Sequence, residues 1–124
     1  GSAGYDFFAP EAFSLVPHET IKIPTGIRAE IAEGWVLQIY PRSGLGFKYR
    51  LQMDNTVGII DSDYFTAKNE GHIFIKMTNS NRQGKTLSIA GGEGFAQGIF
   101  LPFGITEDDD ADGERTGGFG STTK

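Results

Sequence analysis

The 124-residue sequence predicts an all-β protein, a sandwich or barrel of jelly-roll type. Three observations carry that expectation. Apolar and polar residues alternate in short runs, each run is closed by Gly, Pro, Asn or Asp, and the runs recur at intervals of about 8–12 residues, the spacing of strands joined by turns. Eighteen glycines furnish those turns. No window combines apolar positions at helical spacing with a cap at its start, so at most one short helix is expected.

In chain order, residues 1–6 read as loop, with no strand ahead of them. Strands follow at 21–23, 27–31, 35–40, 72–77, 86–89 and 95–103, and the apolar stretch Gly58-Ile-Ile reads as another. Pro41-Arg-Ser-Gly-Leu-Gly46 comes directly after a strand and reads as a sharp turn. It presents Arg42, Ser43 and the Gly44 N–H at a strand end, a composition that suits a phosphate as well as a plain turn. Gly58-Ile-Ile-Asp-Ser-Asp-Tyr64 puts the Asp61 carboxylate just past an apolar strand, with an aromatic three residues later. Such a carboxylate either orients a water as general base or closes an Asx-type turn. Gly91-Gly-Glu-Gly-Phe-Ala-Gln97 turns into the last strand and sets the Gln97 amide among buried neighbours, where it must find a partner in a ligand or in the backbone.

Behind that strand, Glu107-Asp-Asp-Asp-Ala-Asp112 reads as a solvated, self-repelling linker rather than a metal cage. Beyond it, Arg115-Thr-Gly-Gly-Phe-Gly-Ser-Thr122 combines a guanidinium, three glycines, an aromatic ring and hydroxyls. Free backbone N–H groups, a bidentate fork and hydroxyl donors match phosphate oxygens, and Phe119 offers a face for stacking, so a nucleotide is the simplest ligand with all the matching parts. At roughly 3.3–3.6 Å per extended residue, the linker could carry Phe119 well beyond its own sandwich.

Composition narrows the chemistry. A chain of 13.4 kDa makes one domain with a single core, too small for a deep pocket between two domains, so a sizeable site is expected between subunits. Cysteine is absent, which excludes thiol nucleophiles, disulfides and zinc–thiolate sites, and the two histidines, His18 and His72, are not spaced as a metal pair. A net charge of −5 and a pI near 4.9 argue against a nucleic-acid surface. A single small polyanion would instead need local Arg, backbone N–H groups and a divalent cation. Neither a membrane span nor a basic-then-apolar leader is visible, and the expected location is the cytoplasm, or a host's cytoplasm for a viral protein.

Five segments point further. Ala3-Gly-Tyr-Asp6, Pro41-Arg-Ser-Gly-Leu45, Gly58-Ile-Ile-Asp-Ser-Asp-Tyr64, Gly92-Glu-Gly-Phe-Ala-Gln97 and Arg115-Thr-Gly-Gly-Phe-Gly-Ser-Thr122 resemble, in order and spacing, the motifs of the trimeric deoxyuridine triphosphatases (dUTPases). The resemblance runs over essentially the whole chain. It implies a distorted jelly-roll protomer of β-clip type, assembled as a homotrimer with three active sites, each built from three subunits. Residues 1–103 would form the barrel core, 104–114 the acidic linker and 115–124 a closing arm. The implied reaction is hydrolysis of dUTP to dUMP and pyrophosphate by attack of water on the α-phosphorus, with Mg²⁺ on the triphosphate. Such an activity limits uracil in DNA and supplies dUMP for dTTP synthesis.

By the same resemblance, Asp61 would orient or deprotonate the water and hold the deoxyribose 3′-hydroxyl. Tyr64 would pack under the sugar and leave no room for a 2′-hydroxyl. Arg42, Ser43, Gly44 and Gln97 would hold the phosphates and the water, and Asp6 would reach Mg²⁺ through its water shell. Uracil would be read by backbone groups of the hairpin at Asn55, Gly58, Ile59 and Ile60 and of the strand at Phe74. From another subunit's arm Phe119 would close over the base, while Arg115, Ser121 and Thr122, with Gly120 between, would clamp the outer phosphates.

The sequence departs from the family pattern in three places. Phe65-Thr-Ala-Lys-Asn-Glu-Gly71 makes the segment after Tyr64 about five residues longer. Gly94 stands where a basic residue is usual, and the strand ahead of the first motif is lacking. Two other readings share parts of the pattern: a dCTP deaminase of the same fold, and a nucleotide-gated binding or signalling module that would use residues 65–71 against an unidentified protein partner.

Overall fold

The computed structural model describes residues 1–109. Alternating burial along the chain resolves into strands β1 (Tyr5–Phe8), β2 (Phe13–Leu15), β3 (Thr20–Pro24), β4 (Trp35–Pro41), β5 (Leu51–Met53), β6 (Gly58–Ile60), β7 (Phe74–Asn79), β8 (Leu87–Ile89) and β9 (Gly94–Pro102). They form antiparallel sheets in the orders β1-β9-β4-β6, β2-β8 and β3-β7-β5, which wrap one core as a distorted jelly roll. The inward residues of each strand fill that core. Ile39, Ile60, Ile75, Met77, Leu87 and Phe95 are all below 2 % exposed, each contributing about 1.5–3 kcal/mol relative to an exposed side chain.

The seven-residue β4 is central, pairing with β9 on one side and β6 on the other. Its direct continuation differs from expectation. The turn read at 41–46 is the entrance to the helix α1 (Ser43–Tyr49), capped by Arg42 in an extended conformation and closed by Arg50 in the left-handed region. Gly44 and Gly46 mask its propensity, and Leu45 is its sole buried residue, which leaves no helical stripe to read.

Two further expectations are corrected. Residues 1–6 are not wholly loop, because β1 begins at Tyr5 and forms the edge of the large sheet against β9, with a bulge between Phe7 and Phe8. The strand at 27–31 does not form. Although Ile31 is buried, the backbone there lacks a ladder: Ile27 O accepts from Ile73 N at 2.9 Å, and the neighbouring Thr25 hydroxyl bonds Ile73 O at 2.7 Å. Arg28 leaves the sheet altogether, stacking 3.7 Å above the Phe65 ring and donating to Phe65 O at 2.9 Å. The segment it holds is a 3₁₀ helix over Ser62–Thr66 followed by turns to Gly71.

At the far end of β7, Asn79 is fully buried. Its Nδ2 donates to Leu15 O at 2.9 Å and Lys85 O at 3.1 Å, and its Oδ1 accepts from Asn81 N at 3.0 Å, so a single amide ties the end of β2 to the β7–β8 loop.

Candidate functional site

A cavity of about 450 Å³ opens beside β7, lined by Ile39, Met53, Asn55, Gly58, Tyr64 and Phe74 among others. The β5–β6 connection, which joins two sheets, forms one wall. Its turn is tight, with Thr56 at φ 70° donating its N–H to Met53 O at 3.0 Å and Val57 N donating to Asn55 O at 2.8 Å. Gly58 keeps the wall thin, since a Cβ there would lie 3.1 Å from Ile39 Cβ and 3.4 Å from Met53 Cε. Phe74 forms another wall, with the Lys22 ammonium 4.8 Å from its ring centroid and the His72 ring 4.4 Å away.

Tyr64 reaches this cavity because β6 ends abruptly. Asp61, half-buried and extended at φ −80° and ψ 157°, caps the 3₁₀ helix, and its carbonyl accepts from Tyr64 N at 3.1 Å. The helix turns the Tyr64 ring inward to 3 % exposure, with its hydroxyl donating to His72 O at 2.5 Å. Asp61 and Tyr64 are thereby set by one turn of chain.

A second, shallower cavity of about 570 Å³ lies at the end of β4, where Tyr40, Arg42, Ser43, Phe47, Gln97 and Ile99 meet. The register pairs Tyr40 with Gln97 and, across β9, Asp6 with Gln97. Gly4 leaves room for the Gln97 amide, as a Cβ there would sit 2.6 Å from its Oε1. The exposed Arg42 side chain donates to Gly94 O at 2.9 Å and lies 3.6 Å from the Glu93 carboxylate, while the Asp6 carboxylate carbon is 3.8 Å from where a Gly94 Cβ would be. Arginine, amide and carboxylate converge on one strand end.

The two cavities occupy opposite faces of one sheet. Ile39 lines the first and its neighbour Tyr40 the second, as alternation along β4 requires, and Gln97 and Ile99 on β9 share the Tyr40 face. Along β4 and β9 the sheet separates the two groups, while β5 borders both cavities, with Met53 at the first and Leu51 and Gln52 at the second.

Among the residues singled out from sequence, Asn55, Gly58, Tyr64 and Phe74 come together at the first cavity, and Arg42, Ser43 and Gln97 at the second with Asp6 adjoining. Gly44 is exposed in the first turn of α1 and lines neither. The Ile59 side chain is exposed on the other face of β6 and Ile60 is buried in the core, which leaves their backbones as the groups available to a ligand. Arg115, Phe119, Gly120, Ser121 and Thr122 lie outside the described residues, as does the linker beyond residue 109. Sequence reasoning missed Asn69, Lys22 and Lys76 at the first cavity and Glu93 beside Arg42. Their spacing carries a turn or strand signal, but nothing in it names a partner across the fold. Among the described residues no group of three or more His, Cys, Asp or Glu is placed to hold a metal, and Asp6 offers one exposed carboxylate.

Fold and site together define a small jelly-roll protein in which a slot walled by aromatic rings and the backbone between β5 and β6 is kept apart from an arginine-bearing strand end. A dUTPase family model matches residues 1–123, and the chain belongs to the dUTPase family. It is 44% identical over 124 residues to the deoxyuridine 5′-triphosphate nucleotidohydrolase of Lactococcus lactis subsp. lactis, covering 98% of this chain and 81% of the relative. The Escherichia coli enzyme of the same name is 40% identical over 128 residues, covering 97% and 80%. Among solved structures, the Streptococcus mutans dUTPase superposes with a TM-score of 0.72 at 36% identity, covering 86% of this chain and 82% of that one. A mutant dUTPase from phage phi11 of S. aureus, described with a coordinated structural Mg(II) ion, gives 0.70 at 26% identity, covering 90% and 84%.

Proposed function

We propose that this chain is a dUTP diphosphatase that converts dUTP to dUMP and pyrophosphate. The observation that carries the reading is the first cavity, which joins the backbone between β5 and β6, Phe74 and the Tyr64 ring, three residues after Asp61. Uracil fits against that backbone. Cytosine would present a donor where uracil presents an acceptor, leaving buried groups unpaired and costing orders of magnitude in discrimination. Tyr64 lies under the sugar, and Asp61 orients or deprotonates the attacking water.

Arg42, Ser43 and Gln97 hold the phosphates, with the Gly44 N–H at the open first turn of α1 as a further donor. Because these groups lie across the sheet from the base cavity, they serve a nucleotide bound to a neighbouring copy, and the family resemblance makes that assembly a homotrimer with shared sites. Residues 104–114 act as a linker, and the arm at 115–124 closes the site with Phe119 over the base and Arg115, Gly120, Ser121 and Thr122 at the phosphates.

The donor set fits Mg²⁺ arriving with the triphosphate, since the exposed Asp6 beside Gly94 suits contact through a water shell and no cage of carboxylates or histidines competes among the described residues. When bound, the ion neutralises phosphate charge and aligns the leaving group. The acidic chain needs no nucleic-acid or membrane partner for this role, and a cytoplasmic nucleotide pool supplies it.

Pyrophosphate release from dUTP, UTP, dCTP and dTTP, with magnesium and then with a chelator, tests the reading. Selective, metal-dependent cleavage of dUTP is expected. Ammonia release from dCTP would favour the deaminase instead, and dUTP binding without cleavage would favour a nucleotide-gated module.

A further inference from the structure

The Tyr64 hydroxyl has a second partner besides His72 O. Asn69 Nδ2 donates to it at 2.8 Å, while Asn69 Oδ1 accepts from Gly71 N at 3.2 Å, so this exposed side chain bridges the sugar-packing ring to the end of the long segment that follows it. The segment has little freedom to shift. On its outer side Arg28 stacks on Phe65 at 3.7 Å and donates to Phe65 O at 2.9 Å and Glu70 O at 2.5 Å. Gly71, at φ +76°, packs so closely that a Cβ would lie 2.7 Å from Phe65 Cα and 2.9 Å from Tyr64 O. Asn69 also lines the first cavity beside Tyr64.

Steric rejection of one extra hydroxyl depends on a wall that does not yield by even an ångström. A phenol held only by its ring packing can rock about its Cα–Cβ bond. Held at the hydroxyl from two directions, by His72 O and Asn69 Nδ2, it cannot. We infer that Asn69 is a positioning residue for sugar discrimination: it locks Tyr64 through the phenol oxygen and so sharpens the choice of deoxyribose over ribose. The inference rests on the first cavity taking a deoxyuridine nucleotide.

The test is the ratio of kcat/KM for dUTP to that for UTP in the full-length chain. Asn69→Ala removes both bonds, whereas Asn69→Ser keeps a hydroxyl oxygen for Gly71 N and is too short to reach Tyr64, which preserves the turn should the alanine variant fold poorly. Both are expected to lower the ratio about fivefold to tenfold, the worth of one neutral hydrogen bond. In a Tyr64→Phe background, Asn69→Ala is expected to lower it no further, because the shared oxygen is gone. An unchanged ratio, an equal fall in kcat/KM for both nucleotides, or additive losses in the double variant would overturn the positioning role. A wild-type chain without preference for dUTP would instead sink the proposed function, and this inference with it.

Discussion

At the scale of single residues, the site depends on where β6 stops. Ile60 is the last core residue of that strand, and Asp61, next along the chain, is half-buried with its carbonyl spent on the 3₁₀ turn that swings Tyr64 inward. Under the proposed function that carboxylate acts on the attacking water. Asp61→Asn is therefore expected to leave dUTP binding near normal while cutting turnover by at least about a hundredfold, checked by calorimetric titration beside steady-state rates. Wild-type turnover in that variant would move the base elsewhere. Gly71 plays the opposite part, serving the fold and not the chemistry. With its φ of +76° and Phe65 Cα 2.7 Å from a Cβ position, Gly71→Ala is expected to lose roughly 1–2 kcal/mol from the left-handed conformation and more from the clash. A denaturant midpoint equal to wild type would contradict that.

At the scale of elements, the sequence was most legible where burial alternates over a long run. β7 follows that rule throughout and β4 and β9 over their inner parts, and Asn55, Gly58, Tyr64 and Phe74, singled out from sequence, line one cavity. Legibility failed where a ladder partner decides the outcome. Residues 27–31 alternate as a strand should, yet their bonds go to a loop and to Arg28 contacts, while β1 has only Phe7 buried and gains its strand character from β9. The helix α1 was hidden by glycines in a segment whose composition also describes a turn. No local pattern could show that Asn79 would staple the end of β2 to the β7–β8 loop. Its replacement by Ala leaves the carbonyls of Leu15 and Lys85 and the N–H of Asn81 without that amide, and a loss of about 2–4 kcal/mol in unfolding free energy is expected. Thermal denaturation measures it.

At the scale of the whole molecule, the decisive feature is that the base cavity and the arginine-bearing strand end face away from each other across one sheet. Copies must meet for both to serve one nucleotide. The exposed apolar residues Tyr5, Trp35 and Phe100, which the register sets on one face of the large sheet, fit a face covered by a second copy. Sedimentation is expected to find three 13.4 kDa chains together, about 40 kDa. Truncation after Asp112 is expected to keep that assembly and lose most turnover, and dissociation to monomers would make the arm structural.

The most direct test of the function is hydrolysis of dUTP in ¹⁸O-enriched water, mixed with UTP, dCTP and dTTP, and followed by mass spectrometry. One ¹⁸O in dUMP, unlabelled pyrophosphate and untouched competitors are expected for water attack at the α-phosphorus of a selected dUTP. Label in the pyrophosphate, or comparable loss of another nucleotide, would contradict it.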